Sequence, residues 1–105
     1  MVLLVIVEIS VIPLGVGTSV SQYVKAAVDE LEESGVRYLV GPMSTSFEAN
    51  SVDEALEIAK KMHEAVFRAG AQRVVTTIKI DDRRDKQASM KSKLESLGVQ
   101  PPPNL

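Results

Sequence analysis

The feature that most constrains the fold is the stretch 36–50, VRYLVGPMSTSFEAN, which reads as two short strands folded back on each other at Gly41-Pro42. Arg37, Tyr38, Leu39 and Val40 lead in, and Met43 to Ala49 lead out. The outgoing arm alternates apolar Met43, Phe47 and Ala49 with polar Ser44, Ser46 and Glu48. Strict alternation sets one face of a strand against a core and turns the other away from it. The away face carries two hydroxyls and a carboxylate in a row, a candidate binding surface. A hairpin fixed in mid-chain also limits what the flanking segments can be, because they must supply the rest of its sheet.

Residues 2–12 form a near-continuous β-branched run, suited to a central strand covered on most of both faces. Its exceptions, Glu8 and Ser10, share a parity and so a face. The run has no leading Lys or Arg, is interrupted by Glu8 and lacks a small-residue cleavage site, which argues against a signal peptide. It is also too short to span a bilayer. Pro13, Gly15 and Gly17 end it.

Ser19-Val20-Ser21-Gln22 has the form of a capping box with Ser19 as N-cap, followed by Val20, Tyr23, Val24, Ala27, Val28 and Leu31 at helical spacing and closed by Gly35. Ser51-Val52-Asp53-Glu54 repeats the box ahead of Ala55, Ile58, Ala59, Met62, Val66 and Ala69, with Gly70 as terminator. A fourth strand is expected over 73–80, then a charged loop 81–85 and a short helix over 86–97 with Met90, Leu94 and Leu97 on one side, closed by Gly98. The single domain is expected over 1–98, and 99–105, with its three prolines, as an extended tail.

The order β-α-β-β-α-β is the split βαβ pattern: an α+β, ferredoxin-like sandwich with a four-stranded antiparallel sheet, two helices on one face and a short C-terminal helix. Strand 1 should lie between strands 4 and 3, with strand 2 outside strand 3. The inward residues are then Val5, Val7 and Ile9; Met43 and Phe47; Val74, Ile78 and Ile80. The opposite face carries Leu4, Ile6, Glu8 and Ser10; Ser44, Ser46 and Glu48; Val75, Thr77 and Lys79. Leu4, Ile6 and Val75 together on an uncovered face mark an interface, so sheets are expected to pack face to face between subunits. Glu8 and Lys79 can pair across the ladder. Glu48 has no partner evident in the sequence, which leaves it free for a ligand.

With 105 residues and a net charge of −2, the chain offers one modest core and no electrostatic reason to bind nucleic acid. Only four aromatic residues are present, two Tyr and two Phe, too few for a base-stacking sheet. Cysteine is absent, so disulfide and thiolate chemistry are excluded and a cytoplasmic setting is compatible. No Ser/His/Asp or Cys/His set and no spaced acid pair suggests catalysis. His63, the one histidine, has Glu64 beside it, and residues one apart on a helix point in different directions, so no metal site follows. Gly15, Gly17 and Ser19 precede a helix N-terminus that could hold an anion, but the Lys and spacing of a P-loop are missing, as is the Arg of an acylphosphatase-type loop. A plain loop and cap is the simpler reading. Arg83, Arg84 and Lys86 read first as solvated surface, and Tyr23 and Phe47 as core. Thr45 points inward by strict alternation, so a role on the polar face would need a bulge.

GPMSTSFE, the stretch MHEAVFRAGAQRVVTTIKIDDRRDK and the early PLGVGTSVSQYV resemble the thiamine-binding protein family with a ferredoxin-like fold. The resemblance covers nearly the whole chain, most specifically at Gly41-Pro42-Met43 with Thr45 and Glu48, and from Arg73 to Asp81 and Arg83. It implies homo-oligomers, dimers or tetramers, that bind thiamine or its hydroxymethylpyrimidine part without catalysis, as a ligand and not a cofactor. On that basis Glu48 is the first candidate for ligand contact, because a carboxylate can meet the aminopyrimidine nitrogen and offset the thiazolium charge. Ser10, Ser46 and Thr45 could add hydroxyl contacts and Phe47 a stacking surface. The plainer alternatives are an inter-subunit salt bridge at Glu48 and a structural or regulatory oligomer that senses another small ligand.

Overall fold

The computed structural model describes residues 3–105. Its elements are β1 (Val5–Pro13), α1 (Ser21–Ser34), β2 (Tyr38–Val40), β3 (Thr45–Ala49), α2 (Val52–Arg68), β4 (Val74–Asp81) and α3 (Met90–Ser96). The sheet is antiparallel in the order β2-β3-β1-β4, as the ferredoxin-like pattern requires. The expected first strand began at Val2, which lies outside the described residues.

The period of two in β1 decides the layering. Val5, Val7, Ile9 and Val11 are buried on the face that α1 and α2 cover, and Ile6, Glu8, Ser10 and Ile12 look the other way. The β1–β3 register sets Val5 against Ala49, Val7 against Phe47 and Ile9 against Thr45, so those β3 residues share the helix face. The helices contribute Leu31, Ile58, Met62 and Val66 to the same core. Leu31, Phe47, Val7 and Val66 have no exposed surface. Each such side chain contributes on the order of 1.5–3 kcal/mol by leaving water.

Several local expectations are corrected. Met43 does not face the core: it sits in the turn before β3 and is 87% exposed. The reason is that the reversal occupies 41–44, where the Gly41 N–H donates to the Ser44 carbonyl at 2.9 Å, so β3 starts only at Thr45. Ile78 is on the helix side, opposite Ile9, but β4 is an edge strand and the residue remains 38% exposed.

Ser19 does not cap α1. The N-cap is Val20, without a side-chain bond, and the Val20 carbonyl accepts from the Tyr23 and Val24 N–H groups. The second box holds in part. Ser51 Oγ accepts from the Glu54 N–H at 3.0 Å, while the Glu54 carboxylate reaches one residue further back to the Asn50 N–H. Gly35 closes α1 with φ of 77°, the left-handed conformation that glycine adopts without strain.

The terminal helix is shorter than 86–97. Ser89 caps it, exchanging hydrogen bonds reciprocally with Ser92, so 86–88 stay outside and Leu97 is 76% exposed. The expected extended tail turns back at its end: Leu105 N–H donates to the Pro102 carbonyl, and Asn104 Nδ2 donates to the Tyr38 carbonyl on the edge strand β2.

Candidate functional site

The site residues named from the sequence divide between the two faces of the sheet. Ser10, Ser46 and Glu48 lie on the outer face. Ser46 stands opposite Glu8 and Glu48 opposite Ile6, and Ser10 lies one pleat beyond Glu8 on the same face. Successive same-face residues are about 7 Å apart along a strand, so Ser46 neighbours Glu48 and Ser10 is remote from it. Thr45 and Phe47 lie on the helix face, because the β1–β3 register runs from Val5 to Ile9 without a bulge. Phe47 has no exposed surface to offer a ligand.

Glu48 is only 5% exposed, although it stands on the outer face. The cover is α3. Glu48 Oε2 accepts the Met90 backbone N–H at 2.7 Å, and Met90 is itself buried. A second tie, Lys93 Nζ to Asp81 Oδ2 at 2.7 Å, holds the same short helix to the end of β4. A buried carboxylate needs a donor, and the free N–H of a helix's first turn supplies one. Thus Glu48, which lacked a partner in the sequence, has one in the fold. Its other oxygen, Oε1, accepts no hydrogen bond from the described residues and is not sealed from solvent. Glu48 also lines a groove of about 320 Å³ with Leu4, Val36, Arg37, Asn50 and Glu54, at the end of the sheet where α1 leads into β2.

The remaining outer face is more polar. Ser44 Oγ donates to Glu8 Oε2 at 3.2 Å. Glu8 and Lys79 are opposite in register but form no ion pair within 4.0 Å. Beyond them Ile12 and Val75 are opposed on the same face, 39% and 46% exposed. Of the apolar residues expected together on this face, Val75 is the exposed one, and Leu4 and Ile6 are partly covered.

Other candidates are accounted for locally. Gly15 and Gly17 have positive φ in an exposed loop, and Ser19 stands two residues ahead of α1. His63 Nδ1 meets Thr76 Oγ1 at 2.6 Å and its ring stands edge-on to Phe67, joining α2 to β4. Arg83 pairs with Asp85 and Arg84 with Asp82, so this basic cluster is matched by acids of its own loop. The Arg83 hydrogen bond holds the Asp85 carboxyl down at about 2, and Arg84 likewise lowers that of Asp82. No helix among the described residues is long and apolar enough to cross a membrane. What sequence reasoning missed is Met90, whose contribution is a backbone N–H. The Ser-Met-Lys-Ser cap at 89–92 was the one signal that could have located it.

Comparison with known proteins agrees with this architecture. A UPF0045 protein of Methanothermobacter thermautotrophicus is 50% identical over 91 residues, 86% of this chain and 92% of the relative. The UPF0045 protein YqgV of Bacillus subtilis is 39% identical, covering 88% and 92%. Among solved structures, hypothetical protein MJ1052 of Methanocaldococcus jannaschii superposes with a TM-score of 0.84 at 38% identity, over 90% of this chain and 96% of that one. A putative thiamine biosynthesis/salvage protein of Thermotoga maritima, TM0486, shares the fold with a TM-score of 0.76 at 22% identity, over 90% and 98%. Residues 7–98 match the family described as thiamine-binding protein, and with this coverage the chain belongs to that family.

Proposed function

We propose that the protein binds thiamine, or its hydroxymethylpyrimidine part, without catalysing a reaction on it, with Glu48 as the group that meets the ligand. The family is named for binding, and nothing in its description indicates catalysis. One observation supports the reading: a largely buried carboxylate commits Oε2 to the Met90 N–H and leaves Oε1 without a donor among the described residues, on a residue that lines a groove large enough for a one-ring headgroup. Thiamine is a cation whose flat aminopyrimidine ring donates and accepts hydrogen bonds, and a desolvated carboxylate favours such a guest more than an exposed one does. Ser46 lies next along the strand on the same face. Arg37 lines the same groove and would face a phosphate on a phosphorylated ligand. The open Ile12/Val75 pair favours a homo-oligomer, dimer or tetramer, formed through the outer face.

The test is titration calorimetry with thiamine, hydroxymethylpyrimidine and their phosphates. Glu48→Gln keeps an oxygen for the Met90 N–H and removes the charge. Binding to the wild type should weaken by about 1.5–3 kcal/mol in the variant, tenfold or more. No heat with any of these ligands defeats the ligand assignment. Binding indifferent to Glu48→Gln keeps the ligand and removes Glu48 from its site.

A further inference from the structure

After β4 the chain crosses the outer face once more. Residues 86–105 run from the β4 edge to the β2 edge, and three polar contacts hold them to the body. Lys93 Nζ pairs with Asp81 Oδ2 at 2.7 Å at the β4 end. The Met90 N–H meets Glu48 Oε2 at 2.7 Å in the middle. Asn104 Nδ2 donates to the Tyr38 carbonyl at 3.2 Å at the β2 end. Apolar attachment is slight. Met90 is the one buried residue of α3, and it stands outside the main core cluster, while Leu97 and Val99 lie exposed. The preceding loop adds no ion pair to the body among the described residues, because Arg83 and Arg84 pair with Asp85 and Asp82 of the loop itself.

We infer that residues 86–105 are a displaceable strap, which leaves and regains the outer face as one unit while the βαββαβ body stays folded, and so gates access to Glu48. A seven-residue helix does not persist in water without a surface to pack on. Undocking therefore melts α3, and Met90 and Lys93 leave together. An exposed ion pair and one neutral hydrogen bond are weak, so the Glu48–Met90 bond and the burial of Met90 supply most of the hold. An element held so lightly opens at a far lower free energy than the core strands. Pro101, Pro102 and Pro103 have no N–H to leave unpaired, and they narrow the conformations that the free strap explores, which favours its return. Closed, the strap commits Oε2 of Glu48; open, it frees both oxygens. A guest that takes Oε1 alone leaves the strap in place, and one that needs both oxygens binds more weakly by the factor for opening. As a gate for thiamine the strap rests on the role proposed for Glu48; as a moving part it does not.

The experiment is native-state hydrogen exchange on the full chain, without ligand. The hydrogen-bonded amides of Met90, Lys93 and Val99 should exchange through one common opening, at least a hundredfold faster than the slowest amides of β1 and β3. Asn104→Ala, at the far end, should speed exchange at Met90 about twofold to tenfold, and Lys93→Ala should speed it up to about fivefold. Each variant should change Met90 and Val99 by the same factor and leave β1 and β3 unmoved. Labelling of carboxylates with a carbodiimide and an amine, read by peptide mass, follows Glu48 itself. Glu48 should react at least tenfold more slowly than exposed Glu57 in the wild type, and faster in both variants by the factor seen at Met90. Met90 exchange as slow as that of β1 and β3 overturns the inference, because the strap then leaves only on global unfolding. So does an effect of Asn104→Ala confined to the tail, or Glu48 labelling as fast as that of Glu57. Neither measurement uses thiamine, so a failed calorimetric titration leaves the strap standing, and a strap that never opens leaves the ligand assignment to calorimetry.

Discussion

The Glu48 carboxylate accepts the Met90 backbone N–H at 2.7 Å, so a residue on β3 fixes a helix that begins 42 positions later. The bond is charge-assisted and shielded from water. Glu48→Ala removes the acceptor and leaves the N–H under cover, and should cost about 1.5–3 kcal/mol. Glu48→Gln, which retains an oxygen, should cost less. Urea denaturation gives the two values, and hydrogen exchange at the Met90 amide shows where the loss falls. Equal protection at Met90 in the wild type and Glu48→Ala would mean that α3 is held by other contacts.

Gly41 is needed for space and not for an unusual backbone angle. A Cβ there would stand 2.8 Å from the Ser44 carbonyl oxygen, the same oxygen that accepts the Gly41 N–H. Gly41→Ala must therefore open the turn, at a cost of roughly 1–3 kcal/mol. The denaturation midpoint should fall with an unchanged slope. A midpoint within error of the wild type would show that the turn relaxes freely.

The two serine caps test how far local sequence can be read. Ser51 and Ser19 each begin a Ser-x-x-Glu/Gln stretch, but only Ser51 accepts the N–H three residues on. Ser51→Ala should cost about 1 kcal/mol and Ser19→Ala close to nothing. Comparable losses in melting temperature for the two would contradict the observed helix starts.

Strand order and the inner face were legible because a period of two in residues 5–11 fixes which side of β1 is buried, and pairing then propagates that choice to β3 and β4. Thr45 was placed on the helix side by the same rule. Met43 was not legible, because the turn takes more residues than Gly41-Pro42 suggests and the alternation starts later. The partner of Glu48 was hidden for a different reason. A seven-residue helix has too few turns to show a periodicity, and the group it presents is a main-chain donor, which no side-chain pattern encodes.

The loop after β4 carries a pH response with a definite sign. Arg83 hydrogen-bonds Asp85 and holds its carboxyl at about 2, below the ordinary 3.8. A depressed acid contributes while it is ionised. Its contribution is full above the unfolded value near 3.8 and disappears as pH falls through about 2. The pair is exposed, so the global midpoint should hardly register it. The carboxyl carbon of Asp85 reports it directly: its NMR titration should lie well below that of a free aspartate and return towards the ordinary value in Arg83→Ala. A titration unchanged by that substitution would dissolve the pair.

Glu8 and Lys79 face each other across the β1–β4 ladder, both exposed, with Glu8 turned to the Ser44 hydroxyl. In a single chain Lys79→Ala should therefore cost less than about 1 kcal/mol. The proposed packing of outer faces changes that expectation. If the open Ile12/Val75 pair is covered by a second copy, Glu8 and Lys79 are drawn out of water together, and removing the lysine then strands a carboxylate at a cost of roughly 3 kcal/mol or more. The penalty should grow with protein concentration, and Glu8→Ala combined with Lys79→Ala should cost less than the sum of the two when the protein is assembled. Light scattering and denaturation across a concentration series decide the matter. A mass fixed at 11.4 kDa through the micromolar range, with a small and constant Lys79→Ala penalty, would leave the outer face without a second copy.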